Sequence, residues 1–220
     1  MSQHLHREIE QLKKKILALG ATVENSVREA VSAVERRDPQ LAERIIRRDK
    51  EIDQLEVDLE EDCLKILALH QPVAIDLRFI VAVLKINNDL ERIGDLSVNL
   101  AERAQLLGES PQIMVPFDFV AIAEKTQQML RLSLDSLVNL SASTARDVCR
   151  MDDEVDTLNR EAFNLVKNAI RRGPEHADVL IAYLSVSRYL ERIADHATNI
   201  AEDVIYMTEG FIARHGSSAK

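Results

Sequence analysis

Along most of the chain, apolar residues recur at steps of three and four. Leu5, Ile9, Leu12, Ile16, Leu19, Val23, Val27, Ala30 and Val34 form one such series. Val148, Met151, Val155, Leu158, Ala162, Leu165 and Ala169 form another, and Tyr183, Val186, Leu190, Ile193, Ala197, Ile200, Val204, Met207 and Phe211 a third. This is the period of one helix face, and no stretch alternates as a half-buried strand would. Alternating steps of three and four suit helices packed nearly parallel or antiparallel. The five prolines and the hydroxyl-rich stretch 141–144 mark the breaks. Proline is tolerated in a helix's first turn but disrupts its interior, and Ser or Thr can cap a helix start. The pattern predicts an all-α chain of six long helices, at about 3–36, 39–69, 73–108, 117–141, 145–172 and 175–213. Short connections make consecutive helices antiparallel neighbours.

The polar positions repeat on a longer scale. Residues 90–102 read LERIGDLSVNLAE and residues 190–202 read LERIADHATNIAE, with eight of thirteen positions identical. One helix earlier in each half, residues 49–53 (DKEID) resemble residues 152–156 (DDEVD). The chain therefore reads as an internal duplication: two tandem three-helix bundles, 1–108 and 117–214, split by the loop at 108–116.

With Leu90 and Ile93 in the apolar seam, Glu91, Asp95 and Asn99 fall outside it. Steps of four advance about 40° around a helix, so these side chains form one stripe. Glu191, Asp195, Asn199 and Asp203 are expected to form its counterpart. Such a stripe is commonly a solvated face. Here, however, Glu91 and Asp95 are like charges one turn apart, which costs a few tenths of a kcal/mol. The hairpin geometry adds to this. Asp53 and Glu91 lie equally far from residue 72, the expected turn, and so do Asp49 and Asp95. Asp156 with Glu191, and Asp152 with Asp195, are level in the same way about the Gly173–Pro174 turn. Four carboxylates should thus meet on each half, in a surface-exposed patch. They repel unless neutralised by protons, by arginines such as Arg48, Arg92 and Arg192, or by a cation. Hard oxygen ligands suit Mg, Mn, Ca or Fe.

Composition narrows the alternatives. A net charge of −9 and a pI near 5.2 argue against nucleic acid as a partner. Cys63 and Cys149 have no metal or redox spacing and read as free thiols of a reducing cytosol. No apolar run approaches the roughly 20 residues that span a bilayer, and the charged N-terminus lacks a signal-peptide core. The expected location is cytoplasmic, without membrane insertion. Enzyme function is not expected. No nucleophile motif or Gly-rich phosphate loop occurs, and no histidine follows a Glu by three residues as in carboxylate di-iron bundles. His196 reads as a solvated or packing histidine rather than a ligand. The cluster Arg36, Arg37, Arg44, Arg47 and Arg48 reads as a solvated face and is not assigned to phosphate.

LERIGD, LERIAD, the paired acidic motifs and QPVAIDLRF at 71–79 together resemble the PhoU family of phosphate-signalling regulators, over essentially the whole chain. The resemblance implies two pseudo-symmetric three-helix bundles. It also implies metal ions on the acidic motifs, iron foremost, with Mn, Zn or Mg as alternatives. By the same resemblance Asp49, Asp53, Glu91 and Asp95 would serve one site and Asp152, Asp156, Glu191 and Asp195 the other, with Asn99, Asn199 and Asp203 as accessory positions. One departure is that the second helix carries an Asp/Asp rather than a Glu/Asp motif. The implied function is negative regulation, through an adaptor that couples the ATPase subunit of a phosphate ABC importer to a sensor histidine kinase. A homodimer is also implied. The competing expectation is a metal-independent helical adaptor whose acidic faces dock partners.

Overall fold

The computed structural model describes residues 3–210. Its helices are α1 Gln3–Arg36, α2 Pro39–His70, α3 Ala74–Glu109, α4 Phe119–Asn139, α5 Ala142–Arg172 and α6 Ala177–Glu209. No strand occurs among the described residues. The expected end of the last helix at 213, with Phe211, and the expected domain end at 214 lie outside the described residues.

The helix starts follow local capping chemistry. Asp38 Oδ1 accepts from the Gln40 and Leu41 N–H groups at 3.0 Å each, and Pro39 occupies the first helical position. This satisfies donors that a helix start otherwise leaves open. Ser141 Oγ accepts from the Thr144 N–H, so α5 begins at Ala142 rather than at the expected 145. Asp118 caps α4 through the Ala121 N–H and moves its start from the expected 117 to Phe119. A 3₁₀ turn, Pro174–His176, precedes α6. At the far ends of α2 and α4, Gln71 (φ 45°) and Leu140 (φ 48°) take the left-handed conformation that closes a helix terminus.

In each half the third helix packs against the other two: α3 on α1 and α2, α6 on α4 and α5. The halves join through α3 against α6 and α1 against α4, and one apolar core runs through both. The apolar series predicted for α1 and α6 is buried throughout the described residues. The α5 series needs one correction. Leu165 is exposed and Val166 is buried in its place, because the seam advances by four from Ala162 and leaves position 165 on the flank. Arg37 also departs from the solvated reading. Its guanidinium donates to the carbonyls of Leu107 and Ser110, pinning the α1–α2 turn to the end of α3.

The joint between the halves contains a polar seam. Lys85 of α3 pairs with Asp203 of α6 at 3.2 Å. Asp89 of α3 meets His196 Nδ1 at 2.8 Å and accepts from the Asn199 amide at 3.2 Å. Positions descend along α6 as they ascend along α3, so the two helices run antiparallel. The duplicated hairpins α2–α3 and α5–α6 therefore point toward opposite ends.

Candidate metal centre

The first cluster depends on a close helix approach. Gly94 has no side chain, and Ile52 of α2 fills the space. A Cβ at Gly94 would lie 3.1 Å from Ile52 Cγ2 and 3.8 Å from Asp49 Oδ1. Asp49 is thereby laid alongside α3, level with Asp95. Its carboxyl is pushed up to about 6, first by burial and then by the charges of Asp53 and Asp95. Glu91 is also raised, by burial and by Asp95, against the lowering effect of Arg92. Arg92 reaches both carboxylates, at 3.4 Å from Glu91 and 3.5 Å from Asp95. Asp53 faces solvent at the edge.

The second cluster is tighter. Asp156, Glu191 and Asp195 each place a carboxylate oxygen within 4.8 Å of the others. Burial and the Asp195 charge raise the Asp152 carboxyl, while the Thr198 hydroxyl, donating to its Oδ1 at 3.2 Å, opposes the shift. Glu191 is raised by burial and then by Asp195, and lowered by Arg188. Desolvation against α5 and the Asp156 charge raise Asp195, with Arg188, His196 and Arg192 opposing. Glu191 Oε1 accepts from Arg188 at 2.6 Å, and its Oε2 is buried without a hydrogen-bond partner.

The predicted carboxylates of each half lie near enough to feel one another's charge, but among the described residues only Asp156, Glu191 and Asp195 converge within 4.8 Å. Three details differ from the sequence reading. The patches are not simply surface-exposed, because Glu191 is buried and Asp49, Glu91, Asp95, Asp152 and Asp156 are half-buried in the helix–helix groove. Asn199 and Asp203 leave the stripe. Three steps of about 40° carry position 203 about 120° around from Glu191, so Asp203 is buried against Lys85, and the half-buried Asn199 donates to Asp89. Asn99 is half-buried on α3. Finally, Arg48 neutralises Glu29 of α1, not the acidic cluster. The guanidinium that sequence reasoning missed is Arg188, three residues before Glu191, a spacing that places the two on one face. His196 packs into the seam between the halves.

A description of the PhoU domain matches residues 16–104 and again residues 119–204. The chain belongs to the PhoU family. Each match contains one of the two carboxylate clusters. Curated relatives include the phosphate-specific transport system accessory protein PhoU homologues of two pseudomonads. The Pseudomonas aeruginosa protein is 37% identical, over 98% of this chain and 89% of its own length. The Pseudomonas putida protein is 36% identical, over 98% and 84%. Among solved structures, PhoU from P. aeruginosa superposes with a TM-score of 0.90 at 35% identity, covering 94% of this chain and 99% of that one. The phosphate transport system regulatory protein PhoU from Streptococcus pneumoniae gives 0.85 at 27% identity, over 96% and 100%. Among the described residues, no helix is long and apolar enough to cross a membrane.

The donor sets suit a hard cation. They are all carboxylate, they repel one another, and the raised proton affinities of Asp49, Glu91, Asp152, Glu191 and Asp195 mark the charge they lack. In the second cluster three oxygens already converge, and a buried acceptor faces no donor. A bound cation would neutralise this charge. It would be held by Asp152, Asp156, Glu191 and Asp195 there, and by Asp49, Asp53, Glu91 and Asp95 in the first half.

Proposed function

We propose that this protein is a cytoplasmic, non-enzymatic regulator of a phosphate-specific transport system. In this reading it restrains phosphate uptake and the phosphate-starvation response, as an adaptor between the ATPase subunit of an ABC importer and a sensor histidine kinase, and acts as a homodimer. Each half carries a metal site on its acidic groove, with iron the first candidate and Mn, Zn or Mg the alternatives. The observation that carries the reading is the full-length likeness to phosphate transport accessory proteins, combined with a carboxylate cluster in both halves.

The test is genetic and biochemical together. In cells lacking the gene, a phosphate-starvation reporter should fire in high phosphate. The wild-type chain should silence it and co-purify with the ATPase subunit. A reporter unaffected by loss of the gene, with no co-purification, contradicts the adaptor role.

One observation favours a metal-independent version. Arg92 and Arg188 already neutralise part of each cluster. If Asp95→Ala/Asp195→Ala silences the reporter as well as the wild type does, the acidic grooves serve as docking faces for basic partner surfaces.

A further inference from the structure

The acidic clusters are duplicated; the arginine cluster is not. Arg44, Arg47 and Arg48 stand at i, i+3 and i+4 on α2, hence on one face. The positions that correspond to them in α5 are Asp147, Arg150 and Met151, where Arg150 pairs with Asp147. Arg44 and Arg48 therefore have no arginine counterpart in the second half, and the one shared arginine is neutralised there.

They line a groove of about 290 Å³ between α1 and α2, together with Glu29. Arg48 pairs with Glu29, Arg47 pairs with Glu43, and Arg44 has no ion pair among the described residues. Asn25 donates to Glu29 Oε1 at 3.2 Å and accepts from Arg28, so Glu29 is held in the groove from below. Three like charges crowd one face at a cost of a few tenths of a kcal/mol per pair, and the only carboxylate lining the groove is already committed to one of them.

The lining chemistry narrows the ligand. Arginine presents a planar fork of donors that matches phosphate bidentately. The groove contains no apolar side chain to anchor a peptide, whereas protein interfaces rely on buried aromatic or apolar anchors. It contains no aromatic ring on which a nucleobase could stack. Its volume is at the small end for ligand pockets.

We propose that this α1–α2 groove binds a small phosphate-bearing anion carrying two or more negative charges, with Glu29 as the internal counter-ion that the ligand displaces. Arg44, Arg47 and Arg48 hold the phosphoryl oxygens. The site lies on the α1 flank of α2, while Asp49 lies against Gly94 of α3, so it operates without the metal clusters.

The test is calorimetric titration of the full chain, dialysed against chelator and then into low-salt chloride buffer. The probes are inorganic phosphate, pyrophosphate, triphosphate and ATP. Pyrophosphate or triphosphate should bind saturably and more tightly than inorganic phosphate, and ATP no better than triphosphate. Arg44→Ala/Arg47→Ala should weaken binding by about tenfold or more. Glu29→Gln should tighten it about tenfold, since the ligand no longer competes with a carboxylate. Helix content of each variant by circular dichroism separates loss of the site from loss of fold. The proposal is overturned if none of the phosphate anions binds even to Glu29→Gln, or if the folded arginine variant binds them as the wild type does. A poly-aspartate peptide that binds the same arginines more tightly than pyrophosphate would also overturn it, in favour of an acidic protein segment.

Discussion

The two acidic grooves descend from one motif yet differ in how they hold their charge. In the first half, Gly94 lets Ile52 press α2 onto α3, and Arg92 spans Glu91 and Asp95 at 3.4–3.5 Å from the groove's outer edge. In the second half, Ala194 replaces the glycine, Val155 replaces the isoleucine, and a shorter contact ties Arg188 to Glu191 at 2.6 Å. Three carboxylates converge there within 4.8 Å, and Glu191 is buried. The lesson is that duplication preserves the carboxylates more strictly than the packing beneath them. One methyl group has moved from α2 to α3, and the counter-charge has moved from the residue after the glutamate to the residue three before it.

Removing the counter-charges separates the grooves most sharply. Arg188→Gln frees Glu191 from a charge-assisted bond that a cation must otherwise displace. Divalent or ferrous ion affinity at the second groove should rise about tenfold, the equivalent of roughly 1.4 kcal/mol. Arg92→Gln should raise affinity at the first groove less, because its contacts are longer and the carboxylates it pairs with are more exposed than Glu191. Competition with a chelating dye measures both. Equal effects would show that the geometric difference has no energetic counterpart.

The displaced methyl gives a smaller, additive-versus-coupled test. Gly94→Ala gains about 1 kcal/mol of helix propensity but crowds Ile52 at 3.1 Å. Ile52→Val alone loses about 0.5–1.5 kcal/mol of packing. Together they recreate the pair found in the second half, so the double variant should exceed the sum of the singles by about 1 kcal/mol in urea unfolding. Additivity would mean that the two positions do not share the space assigned to them.

The smallest effect concerns protons. Asp49 has its carboxyl at about 6 in the folded chain, against roughly 3.9 when unfolded. The folded state therefore holds the proton more firmly. The corresponding stability is full below about pH 4 and is lost as pH rises through 6. At pH 7.5 the ionised group destabilises the metal-free protein. Asp49→Asn should raise Tm there by about 2–4 °C, with the difference gone by pH 4. Thermal scans of chelated protein at both pH values check it, and added metal should reverse the order at pH 7.5.

Much of this was legible in the sequence. The six helices followed from apolar steps of three and four, because each helix buries one face in a shared core. The carboxylate quartets followed from residue numbers equidistant from two turns. What escaped depends on contacts with no local signature. His196 and Asn199 find Asp89 across more than a hundred residues, and Lys85 finds Asp203 in the same way. The stripe through Glu191, Asp195, Asn199 and Asp203 looked continuous only because its slow rotation was neglected. Over three turns that rotation moves the last residue from the groove to the joint between the halves. Arg188 was within reach, since an Arg three positions before a Glu shares its face.

The most direct test of two inherited metal sites is a metal count. The chain would be purified without a polyhistidine tag or chelator and analysed by elemental mass spectrometry, beside Asp95→Ala, Asp195→Ala and the double variant. Two similar sites predict at least about two metal ions per wild-type chain, about half that in each single variant, and near zero in the folded double variant. A folded wild type with no metal, or a double variant that keeps its full complement, would contradict the account.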